Sequence, residues 1–138
     1  YVYESNLSFY GTNDFQFIKK DFPKSLDREP LIVPSLHSYL RQIIDQWYLK
    51  NKVHYKTLVE IHDSASKKLL AKEGVGIVVL AEIGAKPLLK NKEIIHLGDM
   101  QVNEKFYCSV RKGELNTKKV LDEILENFAS IMEDETHE

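Results

Sequence analysis

Residues 59–80 carry the clearest alternation of apolar and polar positions in the chain, VEIHDSASKKLLAKEGVGIVVL. A strand ends at Ile61 or His62, a helix opens on Asp63 and Ser64, Gly74 closes it, and Gly76 leads into an apolar strand. Asp63 suits the N-cap, because its carboxylate accepts from free N–H groups of the first turn. Gly74 stands where a left-handed C-terminal residue is wanted. Val75 to Leu80 is apolar at every side-chain position, as in a strand covered on both faces. Two parallel strands joined by a short helix predict an α/β sheet with a right-handed crossover.

The same reading extends outward. Tyr1 to Glu4 predicts the end of a strand and Leu7 to Tyr10 a short apolar piece. The turn cluster Gly11-Thr12-Asn13-Asp14 separates them from a short helix over Phe15 to Phe22, stopped by Pro23. Leu31 to Pro34 predicts a short buried strand, ended by a proline that cannot donate to a ladder. Ser35 is expected to cap a helix running to about Asn51. Its apolar positions Leu36, Tyr39, Leu40, Ile43, Ile44, Trp47 and Tyr48 recur at helical spacing. Thr57 to Ile61 is the next strand. Ala81 to Leu89 predicts a short helix with Pro87 in its first turn. Ile94 to Leu97 predicts a strand, Gly98 to Asn103 a loop, and Lys105 to Arg111 a half-buried strand. A last helix is expected from Asn116 or Thr117, with Val120, Leu121, Ile124, Leu125, Phe128 and Ile131 on one face.

Composition narrows the function classes. The chain has 138 residues, 43% apolar and 29% charged, the profile of a globular domain. A net charge of −2 with dispersed Lys and Arg gives no basic stripe for nucleic acid on this piece. No apolar run approaches the roughly 20 residues of a membrane span. A start at Tyr1 without a secretory signal points to a fragment. The single cysteine, Cys108, excludes an internal disulfide and fits a reducing compartment.

The candidate chemistry sits at two helix starts. Pro34-Ser35-Leu36-His37-Ser38, with Arg41 following, offers backbone N–H groups, hydroxyls and a cation for an anion. Capping alone also accounts for the serine, and Arg41 then is simply solvated. At His62-Asp63-Ser64 the carboxylate partly offsets the positive helix end. That start therefore suits a hydroxyl, amine or cation better than a carboxylate, unless both residues are only caps. Consecutive Ser, His and Asp cannot face one another as a hydrolase triad, and no G-x-S-x-G elbow is present. Cys108 falls on the apolar side of its strand pattern, which argues for an inert thiol. His37, His54, His62, His96 and His137 lack ligand spacing, which argues against zinc. No metal and no cofactor is expected.

Several pieces in this order resemble the effector-binding region of LysR-type transcriptional regulators. They are Leu7-Ser8-Phe9-Tyr10, Phe22-Pro23-Lys24-Ser25-Leu26, Pro30-Leu31-Ile32-Val33-Pro34, Leu40-Arg41, Gln46-Trp47-Tyr48, Val59 to Ala65, Leu70 to Ile77, and Phe106-Tyr107. The resemblance spans about Leu7 to Phe128. It looks most like the branch that activates sodium/proton antiporter genes, although Ala81 stands where many members place a proline. It implies a two-lobed α/β fold like periplasmic binding proteins, with a small mostly parallel sheet covered by helices on both faces in one lobe and the other lobe incomplete. The expected division is about 28–82 for lobe two, with 1–27 and 83–138 as part of lobe one and the crossovers. The winged helix-turn-helix that would bind DNA is absent from this sequence.

The implied function is a non-enzymatic, cytoplasmic ligand-sensing domain of a transcriptional activator that binds an ion or small molecule and possesses a sodium or pH response. Ligand contact is implied for Ser35, His37, Ser38, His62, Asp63 and Ser64, for Glu4 and Ser5 near the first crossover, and for Ala81 and Glu82 near the second. A homodimer or tetramer is implied, with Leu36, Leu40, Trp47 and Tyr48 of the helix after Pro34 as candidate interface residues. DNA would be met only through the absent N-terminal part, and no membrane is involved. The alternative is a solute-binding receptor or small-molecule enzyme of the same two-lobe architecture.

Overall fold

The computed structural model describes residues 2–107, and side chains over 4–103. The expected last helix, Cys108 and the end of the expected Lys105–Arg111 strand lie outside the described residues. Five strands and three α-helices follow one another as β1 (Val2–Gly11), β2 (Pro30–Pro34), α1 (Tyr39–Lys50), β3 (Lys56–Ile61), α2 (Ser64–Lys72), β4 (Val78–Ala81), α3 (Glu82–Lys90) and β5 (Ile95–Tyr107). Between β1 and β2 lie two short 3-10 turns, Asn13–Lys19 and Lys24–Leu26, in place of the expected helix over Phe15 to Phe22.

β2 and β3 pair in parallel. Ile77, one residue ahead of β4, joins them: its N–H donates to the Pro30 carbonyl at 3.0 Å and its carbonyl accepts from Ile32 N–H at 2.8 Å. The parallel bridge is Leu31 to Ile77. β3 and β4, joined by α2, are therefore parallel but not adjacent, with β2 between them. β1 runs antiparallel to both β4 and β5. Three strands thus form one sheet in the order β4-β1-β5, and β2 and β3 form a second that abuts it through the single bridge at Ile77.

The sheet is covered on both sides. One face carries Leu7, Phe9, Leu31, Val33, Val79 and Leu97 against Leu40, Ile44 and Tyr48 of α1. The other carries Tyr10, Ile32, Val78 and Leu80 against Ala71 of α2 and Ala85 of α3. β4 is buried at all four positions, as its unbroken apolar run requires. Val75, expected in that strand, precedes it and is exposed. Side chains from 1–27, 28–82 and 83–107 share the first of these cores.

Three local readings change. α1 begins at Tyr39, capped by Ser38, whose side chain accepts from Arg41 N–H at 2.9 Å. Ser35 instead opens a turn in which its carbonyl accepts from Ser38 N–H. Both serines have capping chemistry. Arg41 donates to the Pro34 carbonyl at 3.0 Å and thus holds the end of β2, so the helix starts three residues later. Pro87 sits at the sixth position of α3, not in its first turn. Finally, the expected loop Gly98 to Asn103 is part of one long β5 with two register shifts opposite β1. Gly98 is not a breaker there. A Cβ at this position would fall 2.3 Å from the Phe22 ring, so the glycine makes room for an aromatic seated on the strand.

Candidate functional site

Because β2, β3 and the start of β4 run parallel, their C-terminal ends lie on one edge of the sheet, and α1, α2 and α3 all begin there. This is where ligands bind in open α/β sheets. Leu7 pairs with Ala81, which carries Glu4 and Ser5 past the end of β4 to the start of α3. The ten residues proposed from sequence for ligand contact thus stand on the same edge.

Their surroundings differ. His37, His62, Asp63, Glu82 and Glu4 are exposed, while Ser35, Ser38, Ser64, Ser5 and Ala81 are buried. Each helix start is already capped by a side chain. Ser38 serves α1. Asp63 serves α2, accepting from Ser66 N–H at 2.7 Å. Ser5 serves α3 from another strand, accepting from Ile83 N–H at 3.2 Å, because Ala81 at the cap has no side chain able to do so. The Ser66 main-chain N–H and hydroxyl hold the Asp63 carboxyl below its ordinary range.

Glu60, which sequence reasoning passed over, ties two of these starts together. Its Oε1 accepts from Leu36 N–H at 3.1 Å, across 24 residues. The edge therefore offers carboxylates at Glu4, Glu60, Asp63 and Glu82, imidazoles at His37 and His62, and serine hydroxyls among them. Such a set can orient a small polar molecule or ion by hydrogen bonds and charge. Arg41 is not free for a ligand at this edge, as the anion reading required. It turns back to Pro34 and Asp45, at 3.0 and 3.4 Å.

The four residues named for an interface separate in the same way. Leu40 and Tyr48 are 1% and 4% exposed, enclosed in this chain's own core. Trp47 packs on Phe9 at 5.0 Å between ring centroids and donates to the Met100 carbonyl at 2.8 Å. Only Leu36 is open, at 56%. The apolar stripe read as a partner surface is the face that α1 presents to the sheet, while Tyr39 and Leu49 join Leu36 on the outside.

Among the described residues no group of three or more His, Cys, Asp or Glu is arranged to hold a metal. No helix among them is long and apolar enough to cross a membrane.

Residues 19–128 match the family model described as LysR substrate binding domain. No curated protein matches the chain. Solved structures share its fold. The regulatory domain of CcmR from Synechocystis PCC6803, in complex with 2-PG, is 15% identical, with 97% of this chain and 67% of that one covered at a TM-score of 0.63. The bromide-bound regulatory domain of HypT from Salmonella typhimurium is 17% identical, with 94% and 62% covered at a TM-score of 0.60. Full-length HypT, a hypochlorite-specific LysR-type transcriptional regulator from the same organism, is 16% identical, with 94% of this chain and 45% of that one covered at 0.61. The chain thus spans about half to two thirds of the structures it resembles.

Proposed function

From the chain's membership of the LysR substrate binding domain family, we propose that it is the effector-sensing part of a transcriptional regulator, and that the helix-start edge is its half of an effector cleft. The observation that carries this is the convergence of three capped helix starts and the ends of β2, β3 and β4 on one edge, lined by Ser35, His37, Ser38, His62, Asp63, Ser64, Glu4, Ser5, Ala81 and Glu82. A second lobe closes over this edge. Effector binds the closed arrangement more tightly and shifts the population toward it. DNA is met by a separate N-terminal part, in a cytoplasmic homodimer or tetramer, and no reaction is catalysed.

Ligands of the neighbours set the probes. CcmR is held with 2-PG and HypT with bromide, so small anions are one class to test. A response to sodium or pH, in the manner of antiporter-gene activators, is the finer form of the proposal, and the carboxylates of this edge support a cation or amine. Titration calorimetry and thermal shift with sodium chloride, choline chloride, sodium bromide and 2-PG distinguish these. A saturable response that His62→Ala or Glu82→Ala abolishes is the expected result. A response that neither substitution alters would place the effector elsewhere, and catalytic turnover of a bound molecule would replace the sensor with an enzyme.

A further inference from the structure

The helix-start edge does not use the opposite end of α1. There, between the last turn of α1 and the segment leading into β3, a hollow of about 480 Å³ is lined by Asp45, Tyr48, Leu49, Lys52, Val53 and Tyr55, with His54 beside them. This lies within the roughly 300–1,000 Å³ of small-molecule sites. It is a strand's length from the edge described above, since β3 leaves the hollow at Lys56 and reaches that edge at Ile61.

Much of its wall is apolar. Val53 is 4% exposed, and the rings of Tyr48 and Tyr55 meet edge to face at 4.9 Å between centroids. Its acid is already satisfied. Asp45 accepts from Tyr55 Oη at 2.5 Å and from Arg41 Nε at 3.4 Å, so its charge is answered from within the fold. Two further groups there can donate, the Tyr48 hydroxyl and the Lys52 ammonium. Tyr48 is 96% buried and lines the hollow. A phenol hydroxyl beside an apolar wall can donate to an acceptor that enters from outside. Burial also pushes the Tyr48 phenol up, so it remains a donor. Lys52 is exposed at the mouth and pairs with no carboxylate among the described residues.

We propose that this hollow is a second binding site, separate from the helix-start edge, for a small monocarboxylate with an apolar body. The body packs on Tyr48, Val53, Leu49 and Tyr55. The carboxylate accepts from the Tyr48 hydroxyl and faces the Lys52 ammonium.

Cyclohexanecarboxylate and cyclohexylamine, which share a body and differ in charge, test this on the intact chain by titration calorimetry. The carboxylate is expected to bind saturably and the amine more weakly. Tyr48→Phe removes only the hydroxyl, and Lys52→Asn removes the ammonium with its stem, at a left-handed position (φ 58°) that asparagine tolerates. Each is expected to weaken the carboxylate about tenfold, the loss of one charge-assisted contact, with the melting temperature nearly unchanged. Asp63→Ala, at the other edge, is expected to leave this binding intact. No saturable binding, equal binding of the amine, or insensitivity to both Tyr48→Phe and Lys52→Asn would overturn the proposal. Loss of binding in Asp63→Ala would assign the carboxylate to the helix-start edge instead, and would also overturn it.

Discussion

The Ser5 hydroxyl accepts a hydrogen bond from the Ile83 main-chain N–H at 3.2 Å, across 78 residues of chain. α3 has an alanine where its own cap should stand, and β1 supplies the missing oxygen. Ser5→Ala removes it and leaves a buried N–H without a partner. The expected cost is about 1–2 kcal/mol in urea unfolding, the range for a lost cap or an unmet buried donor. A change within experimental error would show that the bond carries no net stability.

The two serines before α1 separate in the same assay. Ser38 caps the helix and Ser35 only opens the preceding turn. Ser38→Ala is expected to cost about 1 kcal/mol. Ser35→Ala should cost clearly less, because its hydroxyl meets no main-chain donor of α1. The reverse order would return the cap to Ser35.

Gly98 lies under the Phe22 ring, and a methyl group there overlaps it. Gly98→Ala is expected to lose about 1–3 kcal/mol, the usual range for overpacking. Adding Phe22→Leu should recover part of that loss if the ring is the cause. Failure of the double variant to recover any stability would place the strain in the β5 backbone.

Asp63 gives the acid side of the stability curve a defined sign. Its folded-state carboxyl titrates below the ordinary aspartate range because Ser66 donates to the charged form. Between the two values the unfolded chain binds more protons. The contribution is therefore fully present above about pH 4 and is lost as the pH falls through the folded value. Asp63→Asn keeps a capping oxygen without the titration. Its stability should fall less steeply than the wild type below about pH 4 in matched unfolding curves. Identical acid limbs would remove Asp63 from the account.

The strand–helix–strand unit at 59–80 was legible because its signals are local. Asp63 caps α2 and Gly74 takes a φ of 80° after it, as their positions predict. Helices on both faces followed from β4, whose apolar run needs cover twice, but the antiparallel pairing of β4 with β1, which makes the strands mixed rather than mostly parallel, did not. What was not legible depends on distant partners. Gly98 to Asn103 read as a loop, yet β1 pairs with β5 throughout: Gly98 stands opposite Phe9, and two register shifts absorb Leu97 and the pair Met100-Gln101. Trp47 and Tyr48 read as anchors for a partner because periodicity marks an apolar face without saying what covers it. The sheet covers it. Glu60 gave no signal at all, since its value lies in a bond to Leu36 that only the pairing of β2 with β3 creates.

The place of β1 has a consequence for how this protein is made. Among the described strands β1 comes earliest in the chain, yet it is an interior one, and both of its neighbours are encoded some 70 residues or more downstream. Residues 30–61 can pair β2 with β3 as soon as they emerge. The stretch Leu7 to Tyr10, wholly buried in the finished molecule, must wait with its main-chain groups unmet until β4 and β5 have been synthesised. A pause in translation between β3 and β4 would prolong the life of that naked hydrophobic edge, making the interval a natural point of engagement for a chaperone.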